Sequence, residues 1–131
     1  MSEMTDEPQS ANLQSALQSA WSIETSSKWL PDNPARGQCS VTALVVQDIL
    51  GGDIVKTDVD GAWHFYNLIG GMRRDFSESQ FASPVFYADL PSNRDEAFSD
   101  TSPEQYRILR ERVLAETGAK EQFAGLSPQE N

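Results

Sequence analysis

The sequence predicts an α+β domain in which one helix of the N-terminal half, buried on all sides, packs on a small antiparallel sheet. Three observations carry that expectation. Gln38 to Leu50 places Val41, Ala43, Leu44, Val45, Val46, Ile49 and Leu50 in one stretch closed by Gly51-Gly52. A helix that is apolar nearly all round belongs in the centre of a fold, and glycine suits its left-handed cap. Directly after it, Asp53 to Val59, Ala62 to Ile69 and Met72 to Phe76 read as strands, separated by Asp60-Gly61 and Gly70-Gly71. Such dipeptides make the tight turns of antiparallel meanders. Finally, 131 residues suffice for one domain, which buries roughly two-thirds of its unfolded surface without disulfides or a structural metal.

The remaining elements follow in order. Residues 1–10, with Glu3, Asp6 and Glu7, are expected to be a disordered acidic N-terminus, residues 11–118 a single domain, and residues 119–131 a flexible tail. Leu13, Leu17, Ala20 and Trp21 recur at helical spacing from Ala11 to Trp21. Ser22 to Pro34 is a loop, punctuated by short polar residues and two prolines. Ser77 to Gln80 starts a short helical turn with Phe81 as its anchor, and 83–101 is a loop with at most one short strand around Val85 to Tyr87. The last helix has Ser102 as N-cap, Pro103 at its first position, Gln105 completing a capping box and Gly118 at its end. Tyr106, Leu109 and Val113 share its inner face.

Twenty acidic residues against ten basic ones give a net charge of −10. That field repels phosphate backbones and anionic lipid, so neither nucleic acid nor a membrane is an expected partner. No apolar run approaches the roughly 20 residues needed to span a bilayer, and the acidic start is unlike a secretory signal. One cysteine makes neither an internal disulfide nor a multi-thiolate zinc site. The expected compartment is the cytoplasm, and no cofactor or metal is expected.

Three residues can carry chemistry together. Cys39 falls in the first turn of the central helix, where the positive helix end favours a thiolate and free N–H groups can hold an oxyanion. Helical spacing sets Thr42, Ala43, Val46, Ile49 and Leu50 on its side, so the thiol should face the sheet. His64 lies within Trp63-His64-Phe65-Tyr66-Asn67. A two-residue turn at Gly70-Gly71 pairs Ile69 with Met72 and brings Asp75 opposite Tyr66, on the face of His64 and within reach of it. A three-residue turn would send Asp75 to the other face. Cys39, His64 and Asp75 then supply a nucleophile, a base and an orienting carboxylate. Asn67, on the opposite face from His64, is assigned a structural role, and Trp21, Trp63 and Phe65 are assigned to the core. Glu24, Thr25 and Ser26 cap a helix or line a cleft.

The segments Ala20-Trp21-Ser22, Glu24-Thr25-Ser26, Trp29 to Pro34, Gly37 to Asp48, Gly51 to Ile54, His64 to Asn67 and Asp75 to Phe81 resemble the YunG family of small bacterial proteins, over about residues 13 to 90. More distantly, Gly37-Gln38-Cys39 is similar to the Gly-Gln-Cys nucleophile motif of transglutaminases, and the order Cys, His, Asp to that of the papain-like superfamily. The resemblance implies a papain-like core with Cys39 as nucleophile, His64 as base and Asp75 as orienting acid. Ser40 stands where transglutaminases commonly have tryptophan. Gln38 and Trp29 are candidates for the oxyanion site and the cleft wall.

The leading expectation is a thiol enzyme acting on an amide or acyl bond of a peptide or protein through a Cys thioester, by hydrolysis, deamidation or acyl transfer. The acidic surface favours a cationic substrate. The alternatives are a non-catalytic peptide- or protein-binding module of the same fold, or a metal held by Cys39, His64 and Asp75.

Overall fold

The computed structural model describes residues 2–118; the expected tail at 119–131 lies outside the described residues. Among these residues two helices precede a four-stranded antiparallel sheet and two follow it: α1 (Ser2–Ala20), α2 (Cys39–Leu50), β1 (Asp53–Val59), β2 (Ala62–Ile69), β3 (Met72–Arg74), β4 (Leu90–Pro91), α3 (Arg94–Phe98) and α4 (Pro103–Thr117). A single 3-10 turn, Glu78–Gln80, follows β3.

The central helix is where its composition puts it. One side of α2 sends Val41, Val45 and Val46 into a cluster with Leu13, Ala16 and Leu17 of α1, Trp21, and Leu109 and Val113 of α4. The other side packs Cys39, Ala43 and Leu44 on Ile54 of β1, Phe65 of β2 and Ala97 of α3. With helices on one side and the sheet on the other, α2 is buried from Cys39 to Val46 and only its last turn, Gln47 to Leu50, is partly exposed. Two buried hydrogen bonds lock it in register: Trp21 Nε1 donates to Thr42 Oγ1 at 2.9 Å, and Asn67 Nδ2 donates to the Ala43 carbonyl at 3.0 Å. Asn67 is thus a structural residue on the helix-facing side of β2, as its register predicts.

The sheet runs in the order β3-β2-β1-β4. Gly70 and Gly71 both have positive φ, +58° and +79°, which a two-residue hairpin turn of the favoured twist demands. Ile69 therefore pairs with Met72, Leu68 with Arg73 and Asn67 with Arg74. That is the register that carries Asp75 to the His64 side. β3 stops at Arg74, short of the expected Phe76, so the rest of β2 has no partner on that flank.

Three expectations are corrected. Helix α1 begins at Ser2 rather than Ala11 and so takes in the acidic start. The stretch 83–101 is not all loop: its strand is Leu90–Pro91, paired with Val55 and Lys56, instead of the one expected around Val85 to Tyr87. It also holds α3, capped by Asn93, whose side chain accepts from the Glu96 N–H. Trp63 is not core. It is 47% exposed, because β2 runs past the end of its cover there, and Lys56 Nζ sits 4.3 Å above its ring.

Helix α4 begins with the full capping box, Ser102 Oγ accepting from the Gln105 N–H while Gln105 Oε1 accepts from the Ser102 N–H. Ser102→Ala is expected to lower the unfolding free energy by about 1 kcal/mol. Urea denaturation should show this as a lower midpoint at unchanged slope.

Candidate active site

The chain approaches α2 through a constrained turn. Gly37 has φ +74°, and a Cβ there would stand 2.4 Å from Ser26 Oγ and 2.7 Å from Lys28 Cβ. Only glycine fits, and the close packing fixes how Cys39 enters the helix. Gln38, expected as an oxyanion or cleft residue, does not face the cleft. It is fully buried, its Oε1 accepting from Thr25 Oγ1 at 2.8 Å and its Nε2 donating to the Ser22 carbonyl at 3.4 Å. As the residue before the first helical turn, it points back into the preceding loop and braces it. Trp29 likewise packs against the hydrophobic cluster behind α2 and forms no cleft wall. Of the Glu24-Thr25-Ser26 group, Thr25 braces Gln38 and Ser26 reaches the cleft.

Cys39, His64 and Asp75 do come together. His64 Nε2 lies 2.6 Å from Asp75 Oδ2, and the two side chains are 3% and 2% exposed. Burial opposes charge on the ring, but its hydrogen bond to Asp75 and the adjacent Cys39 sulfur outweigh it and raise the His64 pKa from 6.5 to about 9. With Nε2 committed to the carboxylate, Nδ1 is the ring nitrogen left open, and it is buried without a hydrogen-bond partner. Asp75 fixes which ring nitrogen is left open and favours the imidazolium.

One element of this geometry departs from expectation. Phe65 and Asn67 face α2, so His64, one residue out of phase, sits on the far side of the sheet, stacked beside Tyr66 at 5.8 Å and edge-on to Phe81 at 4.8 Å. The thiol does not meet the ring through the sheet. Both line a cleft of about 440 Å³ at the end of β2 that β3 leaves unpaired.

Two residues complete the site without having been singled out from the sequence. Tyr87 donates its hydroxyl to Asp75 Oδ2 at 2.7 Å, and burial together with that bond pushes its own pKa upward, keeping it a donor. Its loop is pinned over the sheet: Thr57 Oγ1 donates to the Phe86 carbonyl and accepts from the Ala88 N–H, and Asp89 takes Tyr66 and Arg73. Gln80 joins the two halves of the site. Its Oε1 accepts from the Gly37 N–H at 3.4 Å and its Nε2 donates to the Ser77 carbonyl at 3.1 Å. Ser77 in turn donates its backbone N–H to Asp75 Oδ1 at 3.2 Å. No periodicity marks either residue, since Tyr87 lies in a loop and Gln80 in a three-residue 3-10 turn, both placed by tertiary packing.

The cleft is lined by Ser26 to Lys28, Arg36 and Gly37 from the approach to α2, by Trp63, Phe65 and Phe81, and by Ser99, Asp100 and Gln105 from around the start of α4. Among the described residues no group of three or more His, Cys, Asp or Glu side chains is arranged to hold a metal ion; Asp75 binds the His64 ring directly. No helix among them is long and apolar enough to cross a membrane.

The fold and site define a small α+β protein with a buried histidine–carboxylate pair beside a lone helix-start cysteine. The chain matches the YunG protein family over residues 9–118 and belongs to that family. It is 55% identical over 95 residues to an uncharacterised protein, YunG of Bacillus subtilis (strain 168), a match covering 72% of this chain and 83% of that one. No solved structure matches it.

The raised His64 pKa has a thermodynamic consequence. A ring that binds its proton more tightly when folded stabilises the fold fully below its ordinary value of 6.5 and loses that contribution as pH rises through about 9. Wild-type stability should therefore fall across that window. In Asp75→Asn, which cannot favour the imidazolium as a carboxylate does, the decline should be markedly shallower when urea unfolding is repeated at each pH.

Proposed function

We propose that this protein is a thiol enzyme of the transglutaminase-like, papain-like class, acting on an amide or related acyl bond through a thioester on Cys39. The observation that carries the proposal is the 2.6 Å contact of His64 Nε2 with buried Asp75, which leaves Nδ1 for the thiol. The Gly37-Gln38-Cys39 segment at the start of a helix packed on an antiparallel sheet supports the same class.

In the proposed cycle His64 already holds, as the imidazolium, the proton given up by the thiol, and the sulfur attacks the acyl carbon. The resulting oxyanion is held by free N–H groups at the start of α2, which an open helix end supplies. As the C–N bond breaks, the imidazolium gives its proton to the departing nitrogen, and the acyl group remains on sulfur. Water, or an acceptor amine, then loses a proton to His64 and attacks the thioester, and the C–S bond breaks to restore the sulfur. Asp75 keeps the ring oriented throughout, and Tyr87 and Ser77 keep Asp75 oriented.

The test is the rate of Cys39 alkylation by iodoacetamide at about pH 6, where an ordinary thiol with a pKa near 8.5 is almost wholly protonated. Wild type should react roughly a hundredfold faster than His64→Ala, with His64→Gln as a bulkier second variant and circular dichroism confirming the fold of each. Equal rates in wild type and both variants would contradict the proposal and leave a binding module as the reading.

A further inference from the structure

The charge around the cleft runs against the charge of the protein. The chain carries −10, yet the cleft that the thiol lines is also lined by two cations, Lys28 and Arg36, and by a single carboxylate, Asp100. Elsewhere cations are consumed in ion pairs: Lys56 with Glu96, Arg73 with Asp89, Arg94 and Arg110 with Asp48, Arg107 with Glu104, Arg112 with Glu24. Among the described residues Lys28, Arg36 and Arg74 are the cations without an ion pair, and two of those three line this cleft. In a chain with twice as many acids as bases, an unpaired cation is the exception, and Lys28 is held there. Its Cβ lies where any side chain at position 37 would have to go, so Gly37 seats both the Lys28 stem and Cys39.

We infer that the cleft takes an acyl substrate bearing a carboxylate, which Lys28 and Arg36 receive at the mouth while the scissile carbonyl reaches Cys39. The inference rests on the proposed thiol chemistry and names its substrate class. It replaces the expectation of a cationic substrate drawn from net charge, because a local field decides what enters a cleft. A carboxylate fits better than a polyanion. Arg36 can bind it through two parallel N–H donors, whereas an extended run of phosphates would meet the acidic remainder of the surface. Trp63 and Phe81 offer apolar walls for the stem between the two ends.

Iodoacetate and iodoacetamide present the same reacting carbon to Cys39, one with a carboxylate and one without, so the ratio of their alkylation rates reads the cleft's preference directly. The wild-type ratio, normalised to that of a free thiol such as N-acetylcysteine, should exceed one and fall as salt is added. In Lys28→Gln/Arg36→Gln it should drop by roughly tenfold, the effect of removing two nearby solvent-screened charges. Asp100→Asn should raise it. A normalised ratio unchanged in the double variant, while the iodoacetamide rate still depends on His64, would overturn the substrate assignment and leave the thiol chemistry standing. An iodoacetamide rate that is independent of His64 would remove both.

Discussion

The buried contact between His64 and Asp75 is the interaction around which the rest is arranged. Taking an imidazolium and a carboxylate out of water costs several kcal/mol per ion, and a pair of this kind adds little net stability to a fold. The chain nevertheless surrounds Asp75 with donors. His64 and Tyr87 share Oδ2, and the Ser77 N–H takes Oδ1. Two loops with no regular structure are held in place to supply them. Such provision for one carboxylate makes sense if the orientation and charge of the ring matter more than the energy of the pair.

The sheet lets the ring and the thiol line one cleft by being incomplete. β3 covers only Asn67 to Ile69 of its neighbour, so the first half of β2 ends in an open flank. The α2 helix lies on one face and the His64 ring on the other, and the flank is where the two reach common space. A longer β3 would give a tidier sheet and close the cleft. Gly37 and Gln80 then set the distance between the halves: the glycine lets the chain pass close under Ser26 and Lys28, and the glutamine ties that passage to the Ser77 turn.

Much of this is legible in the sequence. The apolar composition of α2 dictates its central position, and the Gly70-Gly71 turn dictates the register that brings Asp75 to His64. Both are local properties of sequence with strong geometric consequences. Ser102, Pro103 and Gln105 announce α4 in the same way. Short helix α3 was equally legible in principle, since Asn93 and Glu96 stand at capping distance, but its five residues are too few for a periodic signal. What could not be read is the work of side chains whose direction is set by packing. Gln38 adjoins the nucleophile in sequence yet turns away to Thr25, Trp29 turns into the core, and Tyr87 arrives from a loop that no pattern places. The side of the sheet on which the ring meets the thiol was equally hidden, because alternation along β2 fixes only that His64 and Phe65 diverge, not that the helix start can reach round the edge.

The most direct measurement of the central claim is the titration of the His64 ring followed by nitrogen-detected NMR in wild type and in Cys39→Ser. The ring in wild type should remain an imidazolium through neutral pH and lose its proton near pH 9, with Nε2 hydrogen-bonded throughout. Replacing the sulfur with a hydroxyl should move that midpoint down. A ring that is already neutral at about pH 7 in wild type, close to the ordinary histidine value, or a midpoint indifferent to the sulfur, would contradict the account.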